Sequence, residues 1–469
     1  MRLFSTSLMF ATALTLIASP VAAQGAPHLT GVNGTSAVLP ALMNSAYGGY
    51  TTAIYVENVS HLGLAAHVTI QYFDANGTVT GAGDVTPVAG IPFWGEWTVR
   101  QDNGNSFIPG VAGWGLVTSN TEVAIFVNEF APGGMDGSSY TSIQMPAGGG
   151  TTLFAPAIVN NAYGGYTTGI GLNNTSATMT TATVTYRDQS GTTVATQTVA
   201  LPALGYAGLY SGDSTLALPM GFTGTATIAS SGGQVLTGIV NEVGPGGQFS
   251  SYDAVSAGAT TLYAAAALNN AYGGYTTGMG IQNTTGTAGN VTVTYYDGSG
   301  TSSGSVTKPI AANGYLGIYQ GGTDGPPASA VGYTAAITGD VAIAAIVNET
   351  APGGMQSTSY NGEPLGSGYL NVALVENTGS DGWSTGLGIV NTTNATISFF
   401  LTYFNADTGA FISQTSLSLP AHAYLGRYTP ADLTTPGTRA TAWLSSATAG
   451  LAAICNEQGA ASLMSFNGQ

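Results

Sequence analysis

The most regular polar feature of the sequence is the dipeptide Asn-Glu, which ends an apolar run four times, at spacings of 113, 107 and 108 residues. A carboxylate repeated in this way could bind calcium or take part in acid–base catalysis. Glycosidase chemistry needs two carboxylates at a defined separation, and no second acidic residue recurs with the same regularity. The four copies are Asn128-Glu129, Asn241-Glu242, Asn348-Glu349 and Asn456-Glu457.

A structural role is the other interpretation of these pairs, and we favour it. Polar side chains beside a Gly-rich turn commonly hydrogen-bond to its backbone, and APGGM or GPGGQ follows the dipeptide in three of the four copies. We therefore predict no catalytic residue and no cofactor. Calcium binding remains an alternative, and its four candidate ligands are Glu129, Glu242, Glu349 and Glu457.

An aromatic loop opens each copy of the repeat and forms the second candidate site. It reads NSAYGGYTT from position 44, NNAYGGYTT from positions 160 and 269, and SDGWST from position 380. Exposed aromatic rings beside Thr hydroxyls could stack on sugar rings. Alternatively, the rings pack between domains and Gly-Gly forms a tight turn. The candidate ligand-binding residues are Tyr47, Tyr50, Tyr163, Tyr166, Tyr272, Tyr275 and Trp383.

Four Asn-x-Ser/Thr sequences lie in register shortly after these loops. They could carry glycans in an exported protein. Each Asn could instead close an Asx-type turn at a strand end, and this is the interpretation we favour. The four residues are Asn58, Asn174, Asn283 and Asn391.

These motifs recur because the chain after residue 23 is a fourfold repeat with a period near 110 residues. Solenoid repeats are only about 20–50 residues long, whereas this period is the size of a domain that buries its own core. We therefore predict an elongated string of four domains. The predicted boundaries are a signal peptide at 1–23 and repeats at 24–147, 148–257, 258–366 and 367–469.

Each repeat is predicted to be all-β. In Val291-Thr292-Val293-Thr294-Tyr295 two valines and a tyrosine alternate with threonine, which places them on one face of a strand. Asp297-Gly298-Ser299-Gly300 then supplies turn residues before a second alternating run. Many short strands separated by turns at intervals of about 8–12 residues are typical of an antiparallel two-sheet sandwich.

The repeats resemble immunoglobulin-like β-sandwich repeats of secreted bacterial cell-surface proteins. The resemblance implies tandem immunoglobulin-like domains outside the cell, and it implies no reaction. The first repeat departs from the pattern because Pro87-Val88-Ala89 stands where L-P-A is expected, and the fourth lacks Ala-Tyr-Gly-Gly-Tyr. The residues that carry the resemblance are Pro156, Thr167, Thr168, Asn174, Tyr186, Asp188, Gly191, Leu201-Pro202-Ala203, Asn241, Glu242 and Ser359-Tyr360-Asn361-Gly362.

Composition narrows the function further. Charged residues make up only 6% of the chain and the net charge is −16, against about 25% charged residues in an average soluble domain. Such an acidic chain cannot neutralise phosphates, which excludes nucleic acid as a partner. Cys455, the single cysteine, lies in an apolar strand and is predicted to be a small buried core residue.

The N-terminus predicts the compartment. Met1-Arg2, an apolar run and Val21-Ala22-Ala23 have the order of a secretory signal peptide with its cleavage site. No later run is long and apolar enough to span a bilayer, so no membrane insertion is expected after cleavage. We expect a bacterial protein that is secreted or held at the cell surface.

The predicted function is that of a non-enzymatic structural or matrix protein. The chain begins and ends in the same phase of the repeat, so the N-terminal strand of one molecule could extend a sheet of the next. Self-association is therefore one predicted kind of partnership. The alternative is a multivalent adhesin that binds polysaccharide through the Tyr-Gly-Gly-Tyr loops, and a third hypothesis is an appendage of a hydrolase whose catalytic residues lie in another chain.

Overall fold

The computed structural model of the chain describes residues 36–81, 83–102, 107–134, 136–145, 148–354, 356–379, 382–459 and 462–468. The predicted signal peptide lies outside the described residues. Helical structure in the described part is limited to α1 (Thr429–Asp432) and to 3-10 turns at Pro132–Gly134, Ser231–Gly233 and Pro352–Gly354. None of these helices has the length and apolar character required to cross a membrane.

The first unit folds as two antiparallel sheets. Its strands are β1 (Ser36–Asn44), β2 (Thr51–Asn58), β3 (Val68–Phe73), β4 (Asp84–Val85), β5 (Glu96–Arg100), β6 (Val111–Ser119), β7 (Val123–Phe130), β8 (Gly137–Thr141) and β9 (Ile143–Met145). One sheet has the order β4-β3-β6-β1-β9 and the other the order β5-β2-β7-β8. Strand β1 therefore lies inside its sheet, between β6 and β9, and is not a free edge.

The second unit repeats this plan with its two layers joined through the β10–β11 hairpin. The strands are β10 (Thr152–Ala162), β11 (Tyr166–Asn174), β12 (Thr180–Arg187), β13 (Thr193–Leu201), β14 (Tyr206–Tyr210), β15 (Phe222–Ser230), β16 (Leu236–Val243) and β17 (Phe249–Asp253). Their order is β13-β12-β15-β10-β11-β16-β17, and β14 pairs with β11.

The third and fourth units follow the same order. Their strands are β18 (Ala259–Ala267), β19 (Thr276–Asn283), β20 (Gly289–Tyr296), β21 (Ser302–Ile310), β22 (Tyr315–Tyr319), β23 (Tyr333–Thr350), β24 (Ser357–Asn361), β25 (Tyr369–Asn377), β26 (Ser384–Asn391), β27 (Ile397–Asn405), β28 (Phe411–Leu419), β29 (Tyr424–Tyr428), β30 (Thr438–Ser446), β31 (Leu451–Gln458) and β32 (Leu463–Asn467). The long strand β23 pairs with β18 and β20 through its first half and with β19 and β24 through its second half. The fourth unit has separate sheets, β25-β30-β27-β28 and β29-β26-β31-β32.

The alternation predicted from the sequence is confirmed in the cores. Val291, Val293 and Tyr295 of β20 are buried, and the intervening Thr292 and Thr294 are partly exposed. The equivalent triplets of the first and fourth units are also buried: Val68, Ile70 and Tyr72, and Phe399, Leu401 and Tyr403. The all-β class and the antiparallel β-sandwich units are thereby confirmed.

The four units meet at a common centre. One strand near the end of each unit, namely β8, β17, β24 or β32, is buried along its whole length. Strand β17 packs against β8 and β24, and β32 packs against β8 and β24, so each central strand contacts a strand of both neighbouring units.

The contact between consecutive units, which we call a seam, has the same geometry four times. At each seam the hairpin tip of one unit presents a glycine to a turn of the next unit. A Cβ atom added to this glycine would overlap a backbone carbonyl oxygen of that turn, and each glycine has a positive φ. The pairs are Gly77 with Ala203, Gly191 with Ala312, Gly300 with Ala421 and Gly409 with Phe93.

The last of these pairs joins the fourth unit to the first, so the described units form a closed ring. The amide of Glu96 in the first unit donates to the carbonyl of Ala406 in the fourth at 2.7 Å. The sequence analysis expected an elongated string, because a repeat pattern specifies the fold of each unit and contains no signal for the angle between units. The chain instead returns on itself because all four seams turn by the same geometry.

A single carboxylate ties the central strands together. Asp136 is buried and accepts backbone hydrogen bonds from one residue of each unit. The four donors are Gly137 at 2.9 Å, Phe249 at 3.1 Å, Ser357 at 3.0 Å and Leu463 at 3.2 Å. The residues that correspond to Asp136 in the other units, directly before each donor, are Gln248, Gln356 and Ser462.

Cys455 is buried, as predicted. Its thiol stands in for a tyrosine hydroxyl that donates to a backbone carbonyl in the other units. In the first unit the Tyr140 hydroxyl donates to the carbonyl of Ala41 at 2.6 Å. The fourth unit has Phe466 at the position of this tyrosine, and the Cys455 thiol contacts the corresponding carbonyl, that of Leu374, at 3.6 Å. The odd cysteine thus occurs in the one unit whose tyrosine has lost its hydroxyl.

We predict that Asp136→Ala destabilises the whole ring, because four buried N–H groups lose their acceptor. The loss should be on the order of 3 kcal/mol, since each unsatisfied buried donor costs about 1–3 kcal/mol and water can enter to replace part of the lost bonding. Urea unfolding monitored by circular dichroism measures it. The matched control is Gln356→Ala, a half-buried counterpart, for which a loss as large as that of Asp136→Ala would contradict the assignment.

We also predict that Cys455→Val lowers stability by about 1 kcal/mol, because the Leu374 carbonyl loses its donor. Adding Phe466→Tyr to that variant should restore part of the loss, since it recreates the arrangement of the first unit. A double-mutant cycle measured by urea unfolding gives the coupling. Strictly additive effects would show that the thiol and the hydroxyl do not substitute for each other.

Candidate functional site

The repeated Asn-Glu pairs link neighbouring units at the centre of the ring. In each case the side-chain amide of the Asn in one unit donates to the Glu carboxyl of the preceding unit. The distances are 3.2 Å from Asn241 to Glu129, 2.8 Å from Asn348 to Glu242, 3.0 Å from Asn456 to Glu349 and 2.8 Å from Asn128 to Glu457. The fourth bond runs from the first unit to the last, which closes the cycle.

The hydrogen-bond partners of these Asn and Glu side chains differ from those that the sequence predicted. The sequence analysis assigned the Asn and Glu side chains to backbone amides of the following Gly-rich loop. Instead, the acceptor atoms of Asn128, Asn348 and Asn456 are each held by a serine of the adjacent central strand, at 2.6, 2.7 and 2.6 Å. The amide group is thereby directed across the seam, a contact that no local pattern could reveal.

Burial dominates the electrostatics of the four carboxyls. It raises the pKa of Glu129 to about 8, against hydrogen bonds from Ser251 and Asn241 that lower it. Burial also raises the pKa values of Glu242 and Glu349 to about 7 each and that of Glu457 well above its ordinary value. Within the described residues, no group of three or more His, Cys, Asp or Glu side chains lies together in a way that could hold a metal ion.

The aromatic loops place their tyrosines at three of the seams. In the first loop Tyr47, Gly48 and Gly49 all have positive φ, of 48°, 91° and 123°, and the amide of Tyr50 closes the turn on the carbonyl of Ala46 at 2.8 Å. The tight Gly-Gly turn of the sequence analysis is therefore present. It turns both tyrosines away from their own unit and toward the next.

The first tyrosine of each loop meets a tyrosine of the following unit through their hydroxyl groups. Tyr47 lies 3.4 Å from Tyr206, and Tyr272 donates to Tyr424 at 3.0 Å. Tyr163 and Tyr315 form the equivalent hydrogen bond at the seam between the second and third units.

The second tyrosine of each loop is half-buried and lies nearer to the ring centre. Tyr50 packs on Phe249 of the second unit, with ring centroids 5.1 Å apart. Tyr166 hydrogen-bonds to Ser357 of the third unit, and Tyr275 to Gln458 of the fourth. The packing alternative of the sequence analysis is therefore observed across these seams, and part of each ring remains exposed.

Each of these three seams contains an open groove. Groove 1/2 has a volume of about 270 Å³, groove 2/3 about 610 Å³ and groove 3/4 about 480 Å³. In every case one wall is the aromatic loop of the earlier unit, and the other wall and the floor are two strands of the later unit. The wall strands are β14, β22 and β29, and the floor strands are β11, β19 and β26.

A second exposed tyrosine completes each groove, and the sequence analysis did not select it. It is the last residue of the wall strand: Tyr210, Tyr319 or Tyr428, with 54%, 62% and 58% of its surface exposed. This residue ends a repeated sequence block in which Gly stands between two tyrosines, as in Tyr206-Ala207-Gly208-Leu209-Tyr210. Its position on a groove wall depends on the seam, which the sequence does not specify.

The groove floor is kept open by a repeated glycine. A Cβ atom added to Gly169, Gly278 or Gly386 would meet a single neighbour, a backbone oxygen 3.6–4.0 Å away. Packing therefore does not require glycine at these positions. A larger side chain there would fill the groove.

The seam between the fourth and first units, which we call the closing seam, has larger side chains among its described residues. The strand pairing places Ala53 and Tyr55 where the floor glycines of the other units lie. Tyr55 stacks on Phe126 with ring centroids 4.6 Å apart, and Glu96 forms an ion pair of 2.7 Å with Arg439. Trp383, the aromatic residue of the fourth loop, is half-buried and lies against Gly459 of its own unit.

The same strand pairing corrects the motif alignment of the first unit. In the first unit Glu96 pairs with Glu57 across two strands, just as Tyr206 pairs with Asn173 in the second unit. Glu96 therefore occupies the position in the first unit that Tyr206 occupies in the second. The turn that corresponds to the one beginning at Pro202 likewise begins at Pro92, which replaces the Pro87-Val88-Ala89 assignment.

The four sequon asparagines close turns, as the favoured interpretation predicted. Asn174 is fully buried, and its side-chain amide donates to the carbonyls of Thr178 and Pro202, each at 2.8 Å. Its oxygen accepts from the amide of Ser176 at 3.0 Å. Asn58, Asn283 and Asn391 have the same arrangement.

Comparisons with known proteins identify no family. No family profile and no curated protein matches the chain. Among solved structures, the pilus backbone RrgB from Streptococcus pneumoniae is similar over 50% of this chain and 80% of its own, with 12% identity and a TM-score of 0.12. The full-length RrgB pilus protein of the same organism matches over 94% and 66%, with 10% identity and a TM-score of 0.13.

A further similar structure is the trypsin-activated alpha-2-macroglobulin from Escherichia coli. The match covers 94% of this chain and 42% of that one, with 8% identity and a TM-score of 0.14. At such TM-scores none of these likenesses carries an argument about architecture or function.

We predict that the ring is more stable at pH 5.5 than at pH 9. The folded pKa values of Glu129, Glu242 and Glu349 are raised from 4.5 to about 8, 7 and 7. The stabilisation by these groups is complete below pH 4.5 and is lost as the pH rises through 7 to 8. Unfolding free energies measured in urea at both pH values test this.

The double variant Glu242→Gln with Glu349→Gln should reduce that pH dependence, by on the order of 2 kcal/mol per site. Glutamine keeps an oxygen acceptor for the Asn amide and cannot ionise. Glu122→Gln, at a half-exposed glutamate, is the control and should leave the pH profile unchanged. A double variant with the wild-type profile would contradict the assignment of the two carboxyls.

Proposed function

We propose that this protein is a non-enzymatic binding protein of the bacterial exterior whose three grooves take saccharide rings. The observation that carries the proposal is the recurrence of one groove design at three seams, with a glycine on the floor that packing does not require. A feature repeated beyond the needs of folding is best explained by a ligand that enters it.

The groove chemistry suits a sugar ring. Tyrosine side chains offer an apolar face for the C–H groups of a pyranose and a hydroxyl for its polar edge. The amides of Asn241, Asn348 and Asn456 border the three grooves and can hydrogen-bond to sugar hydroxyls. Volumes of 270–610 Å³ fall in or close to the range of about 300–1,000 Å³ typical of small-ligand sites.

Binding without hydrolysis is supported by the acidic residues of the grooves. In groove 2/3 the described lining includes one carboxyl, that of Glu242, and in groove 3/4 one, that of Glu349. Glycosidase chemistry uses two carboxyl groups on either side of the bond that is cleaved. Each of these carboxyls is in addition engaged by an Asn amide of the next unit.

Three similar sites in one rigid ring would bind a polysaccharide multivalently. Once one groove is occupied, the other grooves see the same chain at a high effective concentration, so that weak individual sites give firm attachment. A secreted ring of this kind would serve as an adhesin or as a cross-link in a polysaccharide matrix. This use combines the two functions that the sequence left open.

The test is saccharide binding by the mature protein. We expect hits on an array of oligosaccharides, and isothermal titration of a hit should show that the triple variant Tyr210→Ala, Tyr319→Ala, Tyr428→Ala weakens binding at least tenfold. The three tyrosines are more than half exposed, so the variant should fold. Tyr369→Ala, at an exposed tyrosine outside the grooves, is the matched control.

A second variant tests the grooves as separate sites. Gly278→Leu places a side chain on the floor of groove 2/3 alone and should lower the number of bound ligands by one while leaving the other two sites intact. An array without any hit, or a triple variant that binds as tightly as the wild type, would rule out the proposed function.

A further inference from the structure

The closing seam differs from the other three because no covalent link holds it. The other seams join units that follow one another in the chain, whereas the closing seam joins the first and last units by non-covalent contacts. We propose that the closing seam also forms between two copies of the chain, with the fourth unit of one molecule seated on the first unit of another. The products are domain-swapped rings and open chains, and the proposal does not depend on saccharide binding.

Specific contacts at the rim of the seam would be available to either partner. Thr441 of the fourth unit donates its hydroxyl to the carbonyl of Trp94 in the first unit at 2.9 Å. The Trp94 ring stacks on Phe404 with centroids 4.9 Å apart and lies 5.0 Å from Trp443. Aromatic pairs of this kind contribute beyond their buried area.

The inner part of the seam is equally specific. Phe126 of the first unit stacks on Phe466 of the fourth, with ring centroids 4.0 Å apart. Beside this pair the amide of Asn128 donates to the buried Glu457. If the seam opened, these apolar rings would be exposed to water. Burying them again favours reassociation of the two surfaces, either within one chain or between two chains.

Opening the seam does not require either unit to unfold. The first unit contains complete sheets of its own, and so does the fourth, and in the described residues no strand ladder joins the two. When the same contact can form within one molecule or between two, replacing one by the other costs little free energy. This is the condition for domain swapping. Because the two surfaces of this seam are different, an open chain can add further copies end to end.

Charge provides the means to open the seam. Arg439 is shared by Glu96 at 2.7 Å, Glu376 at 3.3 Å and Asp407 at 3.8 Å. The titratable and charged groups at the seam include Tyr55, Glu57, His61, Glu96, Arg100, Asp136, Tyr369, Glu376, Asp407, Arg439, Cys455 and Glu457. Carboxyl groups therefore outnumber guanidinium groups at this seam.

Alkaline pH is the condition that loosens this arrangement. Burial raises the pKa of Glu96 to about 7 and those of Glu57 and Glu457 well above their ordinary value. A raised folded pKa means that the stabilisation is present in acid and is lost as the pH rises through that value. The other three seams weaken as well, so the angle between their tethered units can change and the first and fourth units can move apart.

The first experiment uses the wild-type mature chain. It is concentrated at pH 9, returned to pH 5.5 and examined by size-exclusion chromatography with light scattering. We expect dimers and larger species whose fraction rises with protein concentration during the alkaline step and which persist after dilution at pH 5.5. A chain kept at pH 5.5 throughout should remain monomeric.

A matched pair of variants locates the contact. Asn128→Asp places a second carboxyl against Glu457 at the closing seam, and Asn241→Asp does the same against Glu129 at a tethered seam. At pH 9 and equal concentration we expect at least a tenfold larger oligomer fraction for Asn128→Asp than for Asn241→Asp. Circular dichroism at the same pH confirms that both variants keep their β structure.

Two results would overturn the proposal. One is a wild-type protein that stays monomeric at every concentration after the alkaline step. The other is an equal oligomer fraction in the two variants, because association would then arise from general destabilisation and not from the closing seam.

Discussion

The hydrogen bond between the Glu carboxyl of one unit and the Asn amide of the next is the contact on which the rest of the molecule depends. It occurs four times around one axis, with Asn241 and Glu129 as one example. It fixes the angle between consecutive sandwiches, and that angle decides whether four units form a line or a ring. In water such a bond would contribute little. In the buried centre an Asn without its partner would cost about 1–3 kcal/mol, so the pairing is enforced.

Ring closure also resolves the problem of exposed sheet edges. An edge strand with unpaired N–H and C=O groups invites pairing with other chains. One edge of each unit lies at the centre, where β8, β17, β24 and β32 cover one another. The outer edges differ: the solvent-facing positions of β13 and β21 include Thr193, Thr196, Thr198, Ser302, Ser305 and Thr307. The grooves lie between these two zones, where neighbouring units diverge from the axis.

The sequence was sufficient to predict much of what one unit specifies alone, although the turn assigned to Pro87-Val88-Ala89 begins at Pro92. The period-two alternation of β20, the turn closed by Asn174 and the burial of Cys455 all depend on residues of one unit, and all were found. The ring, the grooves and the partners of the Glu residues depend on contacts between residues about 110 positions apart. One signal for them was present: Asn-Glu is kept in all four repeats, including the fourth. Its Glu457 needs a partner, and the partner is Asn128 of the first unit.

Asp136 shows that the fourfold symmetry of the ring must be broken at one place. Its carboxylate accepts a backbone amide from each unit at the centre of the ring. A concatemer of four copies of the first unit would bring four like charges to that point, and their mutual repulsion in a dry environment would be prohibitive. The divergence of Gln248, Gln356 and Ser462 from aspartate avoids this repulsion, so the four repeats have to differ from one another where an aspartate is used at the centre.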